Sequence, residues 1–237
     1  MDKLLVALDV DTRQRALELA SALDGVAGGF KIGTRLFTVE GPGLARELAA
    51  CGARVFLDLK FHDIPNTVAQ AVESAVQTGA WMFNVHASGG VPMMQGAVKA
   101  GRETAQRLGQ RPPLLIAVTV LTSMNEEVLR DIGVNRPMLD QVVALAKMTQ
   151  AAGMDGVVAS PRETAAIRRA CGDTFLIVTP GIRGAAAQAK PDDQTRTMGP
   201  AEAVRAGASY IVVGRPIIAA ADPRAAAEAI VREMTES

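Results

Sequence analysis

Apolar residues along this chain gather into short runs, and between the runs they recur at helical spacing. The runs occupy residues 4–10, 30–33, 54–60, 82–86, 114–121, 156–159, 175–179 and 210–213. Each is apolar almost throughout, as expected of parallel strands covered on both faces. In the intervening stretches Ala16, Leu19, Ala20 and Leu23 share one helical face. Leu139, Val142, Val143 and Ala146 share another, and Ala227, Ile230, Val231 and Met234 a third. The punctuation agrees with this alternation. Gly25, Gly52, Gly79, Gly109, Gly153, Gly172 and Gly207 each follow a helical stretch and precede a strand, where helices end on a left-handed residue. Ser160–Pro161, Gly199–Pro200 and Asp222–Pro223 read as a cap followed by proline at the first helical position.

Eight strands in 237 residues amount to about 30 residues per strand–helix unit, which predicts an α/β fold, one (β/α)8 TIM barrel domain over residues 1–237. A doubly wound open sheet uses the same alternation but carries a glycine-rich turn after its first strand. Here Leu8-Asp9-Val10-Asp11-Thr12 stands in that place. No Ser/Gly/Pro-rich linker divides the chain, and only residues 183–198 read as a long irregular loop, a kind of segment that often carries function.

Composition narrows the partners. The 25 basic residues balance 25 acidic ones, so no electrostatic footprint for a polyanion exists. Six Phe, one Trp and one Tyr leave few rings for stacking bases, and no nucleic-acid partner is expected. Two cysteines, Cys51 and Cys171, can build neither a disulfide framework nor a cysteine zinc site, and they suit a reducing compartment. The opening apolar run is too short for a signal-peptide core and lacks a cleavage site. The longest run, 114–121, falls far below the roughly 20 residues of a membrane helix. A cytoplasmic protein without membrane association is the expectation.

In a barrel the chemistry sits at the C-terminal strand ends. Those ends carry Asp9, Lys31, the run Asp58-Leu59-Lys60-Phe61-His62-Asp63, Asn84-Val85-His86, Thr122-Ser123, Gly181-Ile182-Arg183 and Gly214-Arg215. Side chains alternate along a strand, so Asp58 and Lys60 point one way while Leu57, Leu59 and Phe61 face the helices. A carboxylate and an ammonium side by side in a barrel mouth are costly to desolvate unless paired. A structural ion pair accounts for one such couple. Asp9, Lys31 and Asp63 converging on the same rim point instead to a site. Nearby carboxylates favour an ammonium, which is an electrostatic stabiliser and proton donor rather than a Schiff-base nucleophile. Interleaved Lys31 and Lys60 take the counter-charge role among Asp9, Asp58 and Asp63, which argues against a metal ion there.

Gly214-Arg215 and Gly181-Ile182-Arg183 supply a glycine and an arginine at adjacent strand ends, where barrels commonly bind phosphate. A phosphorylated small molecule fits. His62 and His86 lack metal-ligand spacing and read as structural histidines, while Thr122 and Ser123 either meet a polar ring or cap the next helix.

The run Asp58-Leu59-Lys60-Phe61-His62-Asp63-Ile64-Pro65-Asn66-Thr67 closely resembles the signature of the orotidine 5′-phosphate decarboxylase family. The resemblance extends in order through Leu8-Asp9, Phe30-Lys31-Ile32-Gly33, Val118 to Ser123, Val178 to Arg183 and Val213-Gly214-Arg215-Pro216. It implies a homodimeric barrel that converts orotidine 5′-monophosphate to uridine 5′-monophosphate and CO2 without metal or cofactor. By position it implies that Lys60 donates the proton and that Lys31, Asp58, Lys60 and Asp63 form a charged network. Asp63 and Thr67 would reach into the partner's site, Asp9 and Lys31 would contact the ribose, and Thr122 the pyrimidine. Arg183, Gln194, Gly214 and Arg215 would surround the phosphate, with residues 183–198 as a closing loop. Two readings compete. Metal-dependent sugar-phosphate lyases and decarboxylases resembling hexulose-phosphate synthase share the Asp-x-Lys-x-x-Asp strand end, but hold magnesium with an acidic residue where Lys31 stands. A phosphate-binding sensor would keep the arginines and need no Lys60.

Overall fold

The computed structural model describes residues 2–182 and 198–235. Its strands are β1 (Leu4–Ala7), β2 (Gly29–Gly33), β3 (Val55–Phe61), β4 (Met82–His86), β5 (Leu114–Val118), β6 (Gly156–Val158), β7 (Leu176–Thr179) and β8 (Tyr210–Val213). They close into a barrel in strict chain order, and β8 pairs with β1 in parallel like every other neighbouring pair. Helices follow the strands around the outside, as the alternation predicts. Of the expected loop at 183–198, residues 183–197, with Arg183 and Gln194, lie outside the described residues.

At the ends of β1 and β5 apolar character outruns the hydrogen-bonded ladder, while β2 begins one residue earlier and β3 ends one residue later than expected. β1 stops at Ala7 and β5 at Val118, yet Leu8 and Val120 beyond them remain buried under the helical layer. The helix Met138–Ala151 turns a different face inward than Leu139, Val142, Val143 and Ala146 suggest. Leu139 is 47% exposed, and the buried row is Val142, Leu145, Ala146 and Thr149. Thr149 escapes a hydrophobic pattern because it is polar, yet its hydroxyl is satisfied by the Leu145 carbonyl at 2.8 Å. Two of the three expected helix starts are observed, with Gly199 as N-cap and the Asp222 carboxylate accepting the Ala225 N–H at 3.0 Å. Ser160–Pro161 is a correction. Its helix begins only at Thr164, because Ser160 is engaged in a turn that closes on itself. The Ser160 N–H donates to the Glu163 carboxylate at 2.9 Å, and the Arg162 N–H donates to the Ser160 hydroxyl at 3.3 Å.

All seven glycines expected at helix ends have φ between 63° and 105°. Two packed layers result from strand alternation. Residues such as Val6, Ile32, Leu57, Phe83, Val85 and Ile177 join the helices in the outer core. Leu5, Ala7, Phe56, Met82, Ile116, Val178 and Val212 form a separate inner cluster that plugs the barrel. One step further along β2 and β3 the alternation brings up Lys31, Asp58 and Lys60. The charged groups therefore stand on an apolar floor.

Gly156 marks where this packing has no slack. A Cβ added there would overlap the backbone carbonyl of Leu176 on the neighbouring strand. Gly156→Ala is expected to lower unfolding stability by about 1–3 kcal/mol in a urea titration, the usual cost of forcing atoms into a filled core. Wild-type stability in that variant would show that the two strands are not so closely apposed.

Candidate active site

The charged rim is assembled by three adjacent strands. β2 supplies Lys31, β3 supplies Asp58 and Lys60, and Asp9 lies two residues past β1. The Lys60 Nζ sits 2.7 Å from Asp58 Oδ1, while the Lys31 Nζ bridges Asp58 Oδ2 and Asp9 Oδ1 at 3.3 Å each. The chain order of charge across the mouth is therefore Asp9, Lys31, Asp58, Lys60. Burial decreases outward from the centre: the Asp58 and Lys31 side chains are 14% and 12% exposed, that of Asp9 56%. Taking a carboxylate this far from water is costly, and partners must offset the cost. Burial alone pushes the Asp58 carboxyl up. The charges of Lys31 and Lys60, with hydrogen bonds from Lys60 and Asn84, more than offset it and hold the group below its ordinary value. Asp58 is thus an anion held between two cations.

Glycine clears the space around this array. A Cβ at Gly33 would meet the Lys31 Nζ at 3.1 Å and Asp9 Oδ1 at 3.4 Å. A Cβ at Gly214, at the end of β8, would meet Asp9 Oδ2 at 3.4 Å. Gly214 is therefore beside the ion-pair array, and Arg215, exposed on the next residue, opens a short helix Arg215–Ile218 on the same rim. Thr122 is half-buried in the turn after β5, where the Met124 N–H donates to the Leu121 carbonyl at 2.9 Å. Neither Thr122 nor Ser123 caps the following helix: Asn125 does, accepting the Val128 N–H at 2.9 Å.

Asp63 and Thr67 lie apart from the network. The Asp63 carboxylate accepts its neighbour Ile64's N–H at 2.6 Å and makes no ion pair among the described residues. Residues 62–67 are all exposed, Ile64 at 67%, and Thr67 belongs to the helix Pro65–Val76. Within one chain the network therefore comprises Asp9, Lys31, Asp58 and Lys60 but not Asp63.

A family model described as orotidine 5′-phosphate decarboxylase / HUMPS family matches residues 2–230. The chain belongs to that family. Proteins named orotidine 5′-phosphate decarboxylase from Syntrophotalea carbinolica and Moorella thermoacetica are each 53% identical over 98% of this chain, covering 94% and 92% of their own lengths. These relatives place the chain with the decarboxylases of the family. Its fold matches the crystal structure of orotidine 5′-phosphate decarboxylase from Lactobacillus acidophilus with a TM-score of 0.86 at 40% identity, covering 98% of each chain. An uncharacterised conserved protein from Geobacillus kaustophilus matches at 0.84 and 36%, over 98% of this chain and 99% of that one.

A member of this family thus builds its rim with one strand-end residue to which the sequence reading gave no role. Asn84, fully buried in β4, donates from Nδ2 to Asp58 Oδ1 at 2.7 Å and accepts the Lys60 N–H at 2.8 Å. The signal was present in the sequence: an asparagine, poor in strand propensity, stands inside the apolar run Met82–His86. Equally unforeseen is the backbone of Lys60. Among the described residues it is the one non-glycine residue with a left-handed φ, 53°, a conformation costing on the order of 1–3 kcal/mol.

His62 and His86 adjoin the site with ring centroids 5.3 Å apart. Burial, then the charges of His62 and Lys60, hold the His86 imidazole below its ordinary value against the pull of Asp58. In an NMR titration His86 should take up its proton below the ordinary histidine range. Lys60→Ala should move that midpoint upward, because a cation opposing protonation is gone. An unmoved midpoint would contradict the placement of Lys60 beside the histidines.

Proposed function

We propose that this chain decarboxylates orotidine 5′-monophosphate to uridine 5′-monophosphate and CO2 in pyrimidine biosynthesis, with Lys60 stabilising and protonating the C6 carbanion and no metal or cofactor taking part. The observation that carries the reading is the Lys60 ammonium held 2.7 Å from the buried Asp58 carboxylate at the barrel mouth. Family membership and the names of its relatives support the substrate.

Loss of CO2 from C6 leaves an electron pair in the plane of the pyrimidine, where it cannot spread into the ring's π system. An ammonium aimed at that carbon stabilises the pair as it develops, in a site whose floor is apolar and whose dielectric is low. The same group then gives its proton to C6 and is reprotonated from solvent. Asp58 holds Lys60 in place and stands beside the substrate carboxylate, a repulsion that departing CO2 relieves. Asp9 and Lys31 hold the ribose and Thr122 the pyrimidine. Gly214 and Arg215 receive the phosphate, together with Arg183 and Gln194 from outside the described residues. Binding energy gathered at the phosphate positions the distant reacting carbon.

The working enzyme is a cytoplasmic homodimer in which Asp63 and Thr67 complete the partner's site. The exposed run 62–67, directly after the strand that carries Asp58 and Lys60, supports that assignment, and two free cysteines suit a reducing compartment.

In a chelator-treated assay following orotidine 5′-monophosphate absorbance, turnover should persist. Loss of activity on chelation would favour the metal-dependent lyase reading instead. Lys60→Ala should lower turnover at least about a thousandfold while the protein stays folded and binds uridine 5′-monophosphate. Turnover undiminished in that variant would remove Lys60 from the mechanism. The shared site makes a separate prediction. Inactive Lys60→Ala and Asp63→Ala chains, unfolded and refolded together in equal amounts, should recover up to about a quarter of wild-type activity, because half the dimers are mixed and each holds one intact site. No recovery above the separate variants would contradict a site built from two chains.

A further inference from the structure

Strand β3 departs from its neighbour where the charged residues sit. Leu57 pairs with Phe83 and Phe61 with Val85, so three residues of β3, Asp58 to Lys60, face the single residue Asn84 of β4. A bulge of this kind re-aims side chains and leaves backbone groups without ladder partners. The Lys60 N–H is such a group, and the left-handed φ of Lys60 turns it away from the ordinary strand course. Asn84 meets it with a side chain instead of a backbone carbonyl, at 2.8 Å.

The other end of the same amide holds Asp58. Nδ2 donates at 2.7 Å to Oδ1, the oxygen that also accepts from the Lys60 Nζ at 2.7 Å. Oδ2 is left to Lys31 at 3.3 Å. Only one orientation of the amide satisfies both contacts, since the oxygen must face an N–H and the nitrogen a carboxylate. Asn84 is 0% exposed, and its strand neighbours Phe83 and Val85 pack in the outer core, so the amide has little room to move.

We infer that Asn84 is a positioning residue: by gripping the Lys60 backbone and the Asp58 carboxylate at once, it fixes the direction of the Lys60 ammonium. It acts through these two groups and has no contact of its own to make with the pyrimidine. The inference rests on the decarboxylase reading above. It also accounts for a buried polar residue that an apolar one of similar size could not replace, because both a buried N–H and a buried carboxylate oxygen would lose their partner.

Two variants test it. Asn84→Ala removes both contacts. Asn84→Asp is nearly isosteric and still accepts the Lys60 N–H, but sets a second carboxylate against Asp58. Both should lower kcat at least about a hundredfold, the scale of loss for a misplaced catalytic group. Binding of uridine 5′-monophosphate should change less than about threefold, because ribose and phosphate are held elsewhere. In Asn84→Asp the acid limb of the kcat profile should also move to higher pH. The added anion favours protonation of the groups around it, namely Asp58, Lys60, Lys31, Asp9, His62 and His86. Rescue of kcat by Asn84→Asp, or wild-type kcat and pH profile in folded variants of altered melting temperature, would reduce Asn84 to a structural role and overturn the inference. If Asn84→Ala fails to fold, the Asp variant decides alone. Wild-type protein assayed alongside separates the claims. An inactive wild type overturns the function, and an active one with equally active variants overturns the role of Asn84.

Discussion

A carboxylate that is nearly withdrawn from water and yet ionised organises the upper end of this barrel. Asp58 is tolerable there only because Lys31, Lys60 and Asn84 converge on its two oxygens. The dependence is mutual. Without Asp58 the two ammonium groups would repel one another across the barrel mouth, and Lys60 would lose the contact that aims it. Removing one member of such an array leaves the others buried and uncompensated, so its parts act as a unit. Lysine at the second strand is part of the same logic. Its ammonium stands between Asp9 and Asp58, the place a cation would take if both flanking groups were to act as metal ligands.

The barrel makes this arrangement possible by alternation. Along β3 the inward positions run Phe56, Asp58, Lys60, and along β4 they run Met82, Asn84. The first member of each row belongs to an apolar plug and the later ones to the site. Water is excluded from below by side chains that carry no charge, which strengthens every electrostatic contact just above them. Glycines at Gly33 and Gly214 keep the flanks open, so the array has walls on the barrel side and space toward the mouth. The fold thus separates two demands: stability is concentrated in the floor and the helical layer, chemistry in the rim.

Much of this was legible in the sequence, for a physical reason. Parallel strands buried on both faces announce themselves as continuous apolar runs, and each of the eight runs overlaps an observed strand, six of them containing it whole. The site residues were legible because charged side chains inside such runs have few structural explanations, and because the stretch from Asp58 to Thr67 matches a specific family signature. What escaped was geometry that depends on two strands at once. The register shift between β3 and β4, the left-handed backbone of Lys60 and the double grip of Asn84 exist only when the strands are side by side. Thr149 and Ser160 escaped for the opposite reason. Each satisfies its hydroxyl or backbone within its own turn of chain, so polarity misreports burial at one and a helix start at the other.

The central claim is that a fixed ammonium stabilises an electron pair at C6, and it can be tested without any carboxylate leaving. Uridine 5′-monophosphate incubated with the protein in deuterium oxide should exchange its C6 hydrogen for deuterium, since the proton transfer by Lys60 runs in both directions. The account predicts that wild-type protein accelerates this exchange and that Lys60→Ala loses at least about a hundredfold of the acceleration, as read by proton NMR. Exchange at the wild-type rate in Lys60→Ala would contradict it.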